Sequence, residues 1–286
     1  MASVIKRGFR TYDALNFIDK LSAVVREAGD TRPLPAGGVN HIVYAVLSKN
    51  TQWADELLPP TPVDSVDEET NFWSEIIGMK RIQPSDVTLV VPRFNWANGV
   101  DDFVIFDPSR TDAYGQKFYC MNSLYQVFIV NNITQQSPLT VTEPVYNTGA
   151  PIVNTNDGYE WRFLFDLSVS DINSTVQDNW IPVNIGTRQT ANQIAEGDTQ
   201  AEWTLGAKHV LLSTIIDDTG IPLNVSYRQL ALVMDPLNDL GARLTSTFAV
   251  PADMTSGSGI MLYLNNRKEI TRETGQSEQP KIVVTF

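Results

Sequence analysis

Apolar residues Ala14, Leu15, Ile18, Leu21, Val24 and Val25 recur at helical spacing near the start of the chain. Thr11 is placed to cap that run and Gly29 lies past its end, so the pattern predicts a helix over 11–27. A Pro- and Gly-rich stretch at 32–38 breaks the chain, and 41–47 is apolar enough for a buried strand. The prolines of 57–62 lead into a second, shorter predicted helix over 65–77. Ser65 with Glu68 three residues on gives the pattern of a capping box, and Gly78 is placed to stop the helix. From Lys80 onward the period changes. β-Branched and aromatic runs bounded by turn residues predict strands at 87–91, 103–106, 118–130, 159–167, 210–216, 228–234, 260–264 and 281–286. Asp217 to Gly220 has the composition of a tight turn, and the weakly periodic stretches 134–158 and 186–198 are expected as long surface loops.

Two helices followed by many strands predict a mainly β protein of the β-sandwich type, with antiparallel sheets and a few peripheral α-helices. The long central loops suggest an insertion. The expected domain organisation is a discontinuous sandwich core from 1–91 and 202–286, including both N-terminal helices. A β-rich, loop-rich subdomain over 92–201 is inserted into it. At 286 residues the chain is long enough for a sizeable core, and no internal repeat is visible.

Charge and cysteine usage narrow the function classes. Lys and Arg number 21 against 33 Asp and Glu, a formal net charge of −12. Such a surface repels phosphate backbones, and no basic stripe interleaved with aromatics offsets it, so nucleic-acid binding is not expected. The opening residues lack the apolar core of a signal peptide and no run approaches membrane-spanning length, so no membrane association is expected. Cys120 is the single cysteine. It leaves no internal disulfide, which suits a reducing cytoplasm.

The chemical inventory is thin. His41 and His209 each lie in an apolar run and are read as core or strand histidines, since neither has a Cys or carboxylate at ligand spacing. Cys120, in an aromatic strand, is read as a small core residue. The stretch 154–158 lacks the alternating acidic residues and distal glutamate of a calcium loop, so turn chemistry accounts for it. Acidic neighbours at 67–69, 101–102 and 217–218 do not face one another as a catalytic pair must, and are read as solvated turns and helix starts. No catalytic, cofactor-binding or metal residue is assigned, and no enzyme activity is expected. Of the six tryptophans, Trp96, in a loop-like stretch over 92–99, is the first candidate either to pack against a partner or to pin that loop to its own core.

Several blocks, read in order, resemble one family. These are Phe9-Arg10 with Ala14 to Phe17; Pro62 to Val66 with Phe72-Trp73 and Ile76 to Gly78; Val90 to Arg93 with Trp96; and Asp157 to Phe165. The closing segments Tyr227 to Leu237, Gly259 to Ile270 and Lys281 to Phe286 complete the set. The set is similar to the small wedge protein of contractile-tail phage baseplates of the T4 type. The stretches 111–156 and 171–200 have no counterpart. The resemblance implies a structural virion protein of the tail baseplate, mainly β, without catalysis or cofactor. It also implies a homodimer that contacts other wedge proteins, including those of the inner ring and the long peripheral subunits. A related contractile injection device would keep the function and change only the particle. A reading from another class is a carbohydrate-binding or glycan-cleaving β-sandwich tail component, for which scattered tryptophans and acidic loops would serve.

Overall fold

The computed structural model describes residues 14, 17, 41–99, 103–107, 116–135, 139–169, 172, 180–183, 207–217, 225–271, 273 and 277–286. In chain order the elements are β1 (Val43–Ser48), α1 (Val66–Ser74), β2 (Ile76–Arg81), β3 (Val87–Pro92), β4 (Tyr119–Met121), β5 (Gln126–Ile133) and β6 (Ile152–Asn154). They continue with β7 (Tyr159–Asp166), β8 (Trp180–Pro182), β9 (His209–Ser213), β10 (Ser226–Met234), β11 (Phe248–Ala249), β12 (Ile260–Thr271) and β13 (Lys281–Thr285). The strands form three sheets, ordered β11-β2-β1-β10-β12, β13-β9-β3-β8 and β4-β5-β7-β6. The protein is mainly β with antiparallel sheets, as its sequence predicts. The chain divides into two compact units. The first comprises Met1–Phe17, Thr88–Leu211 and Val283–Phe286, and the second Ile18–Val87 and Leu212–Ile282.

The five-stranded sheet belongs to the second unit. All six residues of β1 are buried, which matches its unbroken apolar run and its central place between β2 and β10. In β10 the seven residues from Tyr227 to Val233 are buried. Tyr44, Val46, Met79, Ala231 and Val233 pack with Phe72 of α1, Leu244 and Met254 into one core. Each fully buried large side chain there is worth roughly 1.5–3 kcal/mol. In the first unit, β5 and β7 carry a second core of Phe128, Val130, Tyr159 and Trp161, joined by Phe103 and Cys120. Phe103 meets Trp161 edge-on at 5.4 Å, and Tyr159 stacks on it at 5.1 Å.

Several elements depart from the pattern. Helix α1 starts where expected: the Ser65 hydroxyl accepts from Glu68 N–H at 3.2 Å. The Glu68 carboxylate, however, accepts from Val63 N–H and Asn266 Nδ2 rather than closing a box on Ser65. The helix stops at Ser74, not at 77, and Gly78 lies inside β2 opposite Leu47. Ile76 and Ile77 gain more as buried strand residues beside β1, and the Ser48 hydroxyl takes up the Phe72 carbonyl near the helix end. The expected single strand at 118–130 is the β4–β5 hairpin, because Asn122 turns the chain. Residues 103–106 form no strand beyond a bridge from Phe103 to Lys117. β9 ends at Ser213, with Ile216 in a separate bridge to Glu278. The stretch 134–158 is not all surface loop, since β6 lies in it and Thr140 is fully buried.

β12 runs to Thr271, seven residues past its expected end at Leu264. Its second half is polar, and polar partners hold it in the sheet: Asn266 bonds Gln229 and Pro60 O, and Glu269 pairs with buried Arg228. Of the predicted helix over 11–27 only Ala14 and Phe17 are described, and both are helical. The remainder of that helix, the loop at 186–198, and Asp218 to Gly220 of the expected turn lie outside the described residues.

Candidate functional site

His41, His209, Cys120 and Asp157 are all described, whereas Asp101, Asp102 and Asp218 lie outside the described residues. His41, one-third exposed just before β1, has Nδ1 2.5 Å from Asp235 Oδ2, while Asp235 Oδ1 accepts from Ile42 N–H at 2.9 Å and faces Arg243 Nε at 3.3 Å. That carboxylate ties the ends of β1 and β10 together. His209, in β9, is 2% exposed, with Nδ1 2.9 Å from Thr285 Oγ1 and the Trp180 ring 5.2 Å away. Burial, with the Lys208 charge beside it, lowers its pKa to about 4, so the ring is neutral at pH 7. Cys120 is fully buried, and burial together with Glu143 pushes its thiol far above the ordinary range, away from nucleophilic use.

Asp157 makes the 154–158 turn. Burial alone would raise its pKa. The Thr155 hydroxyl and the Thr142, Val141 and Tyr159 N–H groups all donate to the carboxylate, outweigh that cost, and hold it below the usual range. Gly158, at φ +91°, completes the turn. Asp67, Glu68 and Glu69 occupy the first turn of α1, where they favour the helix dipole. Among the described residues no group of three or more His, Cys, Asp or Glu is arranged to hold a metal ion.

Among the described residues the most buried charge is Arg228, 2% exposed, in the second unit. Its Nε lies 2.7 Å from Glu56 Oε1, Nη2 lies 3.2 Å from Glu269 Oε2, and Nη1 donates to Asn50 O at 2.7 Å. This constellation was not legible in sequence, because Glu56, Arg228 and Glu269 are scattered along the chain. It fastens the 50–56 segment to β10 and β12, which is an architectural task.

Among the described residues the tryptophans do not form a stacking platform. Trp161 is fully buried, Trp73 packs on the second unit's core and Trp96 on the first unit's core. Trp53 donates its indole N–H to Arg267 O at 2.9 Å and has the Lys49 ammonium 4.5 Å over its ring. Trp96 N–H donates to Met121 O at 2.8 Å, so of its two expected roles the contacts realise the pinning of the loop. Trp203 lies outside the described residues. What the surface does offer is apolar side chains. In the second unit, Leu57, Leu58, Val63 and Val66 are 63–79% exposed around the Pro-rich loop, and Ile260 is exposed on edge strand β12. In the first unit, Leu124 and Tyr125 stand out at the tip of the β4–β5 hairpin. The hairpin tip lies inside what the sequence predicts as one strand over 118–130; Asn122-Ser123 was the signal for a turn there. Among the described residues, no helix is long and apolar enough to cross a membrane.

The polar groups described above are taken up by the fold, and the exposed apolar loops fit a protein that works through contacts with other chains. Residues 173–286 match the family model described as baseplate wedge 3 tail fiber network component. Over 99% of this chain and 97% of the relative, the sequence is 20% identical to Baseplate wedge protein gp8 of Enterobacteria phage T4. The resemblance to the T4-type wedge subunit therefore extends from one end of the chain to the other.

Proposed function

We infer that this chain is a structural component of the baseplate wedge of a contractile phage tail. The observation that carries this reading is the end-to-end similarity to the T4 wedge protein, which includes the C-terminal region matched by the wedge family model. The chain resides in the virion, at the tail baseplate, and works through protein–protein interfaces with other baseplate proteins. We further propose that it acts without catalysis, as a homodimer that contacts inner-ring and peripheral wedge subunits. The family resemblance supports these finer points, and the occupation of His209, Cys120 and Asp157 by the fold agrees with an absence of chemistry.

Permanent assembly interfaces commonly bury upward of about 2,000 Å². Sheath contraction requires the baseplate to change state, and in that change a subunit of this kind would keep its fold while its contacts are exchanged. The test is deletion of the gene, with immunogold microscopy of wild-type particles. We expect tails without functional baseplates from the deletion, and label confined to the tail tip in the wild type. Intact, infectious tails from the deletion would sink the reading, and label on extended fibres would favour a glycan-binding component instead.

A further inference from the structure

The β4–β5 hairpin turns in a way its side chains do not suit. Tyr125 N–H donates to Asn122 O at 3.1 Å and Asn122 N–H donates to Gln126 O at 3.0 Å, which leaves Ser123, Leu124 and Tyr125 as a three-residue loop. The last residue of such a loop takes the left-handed conformation, where glycine is the default. Here it is a tyrosine, at φ +59°. The strain is not offset by burial, since Leu124 is 59% and Tyr125 41% exposed. Glycine or asparagine at 125 would relieve the backbone, and a polar residue at 124 would remove exposed apolar surface.

Beneath the tip the support is rigid and polar. Asn122, 2% exposed, accepts from Leu124 N–H and Gln126 N–H and donates to Pro144 O and Gln126 Oε1. Glu143 accepts from both the N–H and the hydroxyl of Ser123. Gln126 in turn donates to Tyr146 O and Asp166. A loop that carries backbone strain and apolar exposure in the isolated chain, and is locked in that shape, is preorganised for a contact outside the chain.

We propose that residues 123–125 are an anchor that inserts Leu124 and Tyr125 into an apolar pocket with a basic rim on a different wedge chain. This rests on the baseplate reading above. The flanking carboxylates of Glu143 and Asp166 set the charge of the rim and argue against a second copy as occupant. Two tips meeting about a two-fold axis would bring those carboxylates together in a chain of net charge −12. Two side chains cover far less than the roughly 800 Å² per partner of a stable interface, so the anchor needs further surface around it, and tyrosine is a favoured anchor residue.

The experiment co-expresses the full chain with the other wedge proteins of the same phage and measures its incorporation by sedimentation, alongside the Tm of the purified chain. The double variant Leu124→Ser with Tyr125→Gly is expected to have a Tm equal to or above wild type and to lose incorporation about tenfold or more. Leu240→Ser, at an 85% exposed leucine in the second unit, should assemble as wild type. Normal incorporation of the double variant overturns the proposal. So does a lowered Tm that accounts for the lost incorporation, which would make the tip structural. A change in the purified chain's own oligomeric state with incorporation intact would mean a self-contact and overturn it as well. Failure of the wild-type chain to enter wedges would instead refute the baseplate reading, and this inference with it.

Discussion

Gly259 shows how far one residue can be constrained. It sits at φ +87° at the entry to β12, and a Cβ there would lie 2.7 Å from Met234 O and 3.0 Å from Pro236 Cα. Those neighbours are backbone and cannot swing aside. Gly257, two residues earlier, has φ +74° but open space around it. The two sites separate conformational strain from collision. We expect Gly257→Ala to cost about 1 kcal/mol, and Gly259→Ala clearly more, about 3 kcal/mol, in the free energy of denaturant unfolding. Equal costs would show that φ alone governs both positions. Tyr125 presents the opposite case: the strained conformation is there without the glycine.

At the scale of elements, polar side chains decide where structure starts, stops and extends. Ser65 caps α1: its hydroxyl accepts from the N–H of Glu68, one of the helix-start donors that have no partner within the helix. Ser65→Ala should lower stability by about 1 kcal/mol, measured by chemical denaturation, while Ser65→Asp should retain most of it. β12 is the reverse situation, a strand carried past its apolar half by partners from distant segments. The Arg228 network is the tie. Removing the guanidinium strands Glu56, which already has one buried oxygen without a partner, beside Glu269. Because both carboxylates are partly exposed, Arg228→Ala is expected to cost about 2 kcal/mol, below the range for a fully buried pair. Hydrogen exchange should show the loss concentrated in the amides of 266–271.

At the scale of the whole molecule, acid should weaken the fold in a defined window. His209 has a folded pKa of about 4 against an ordinary value near 6.5, so the unfolded chain binds the proton more readily. Its contribution to stability is complete above about pH 6.5 and is lost as pH falls toward 4. The depressed Asp157 carboxyl continues the same trend at lower pH. Unfolding titrations should therefore show stability falling from pH 6.5 to 4, and His209→Gln should flatten that part of the curve. An unchanged slope would mean that other groups carry it. Much of this molecule was legible in its sequence. The mainly β class followed from runs of β-branched and aromatic residues, the buried strand β1 from its unbroken apolar stretch, and Ser65 as a cap from its place before the helix. The wedge-type resemblance was legible too, because it rests on ordered blocks of residues. These properties are local, set by the chain's periodicity and by neighbours within a few residues. Tertiary structure decided the rest. It turned Ile76 to Gly78 from helix into strand, split 118–130 into a hairpin and carried β12 seven residues past Leu264. It also brought Glu56, Arg228 and Glu269 into one network and left Leu124 and Tyr125 exposed on a strained tip. Those outcomes depend on partners tens to hundreds of residues away, whose hydrogen bonds and burial outweigh local preferences of about a kcal/mol or less per residue.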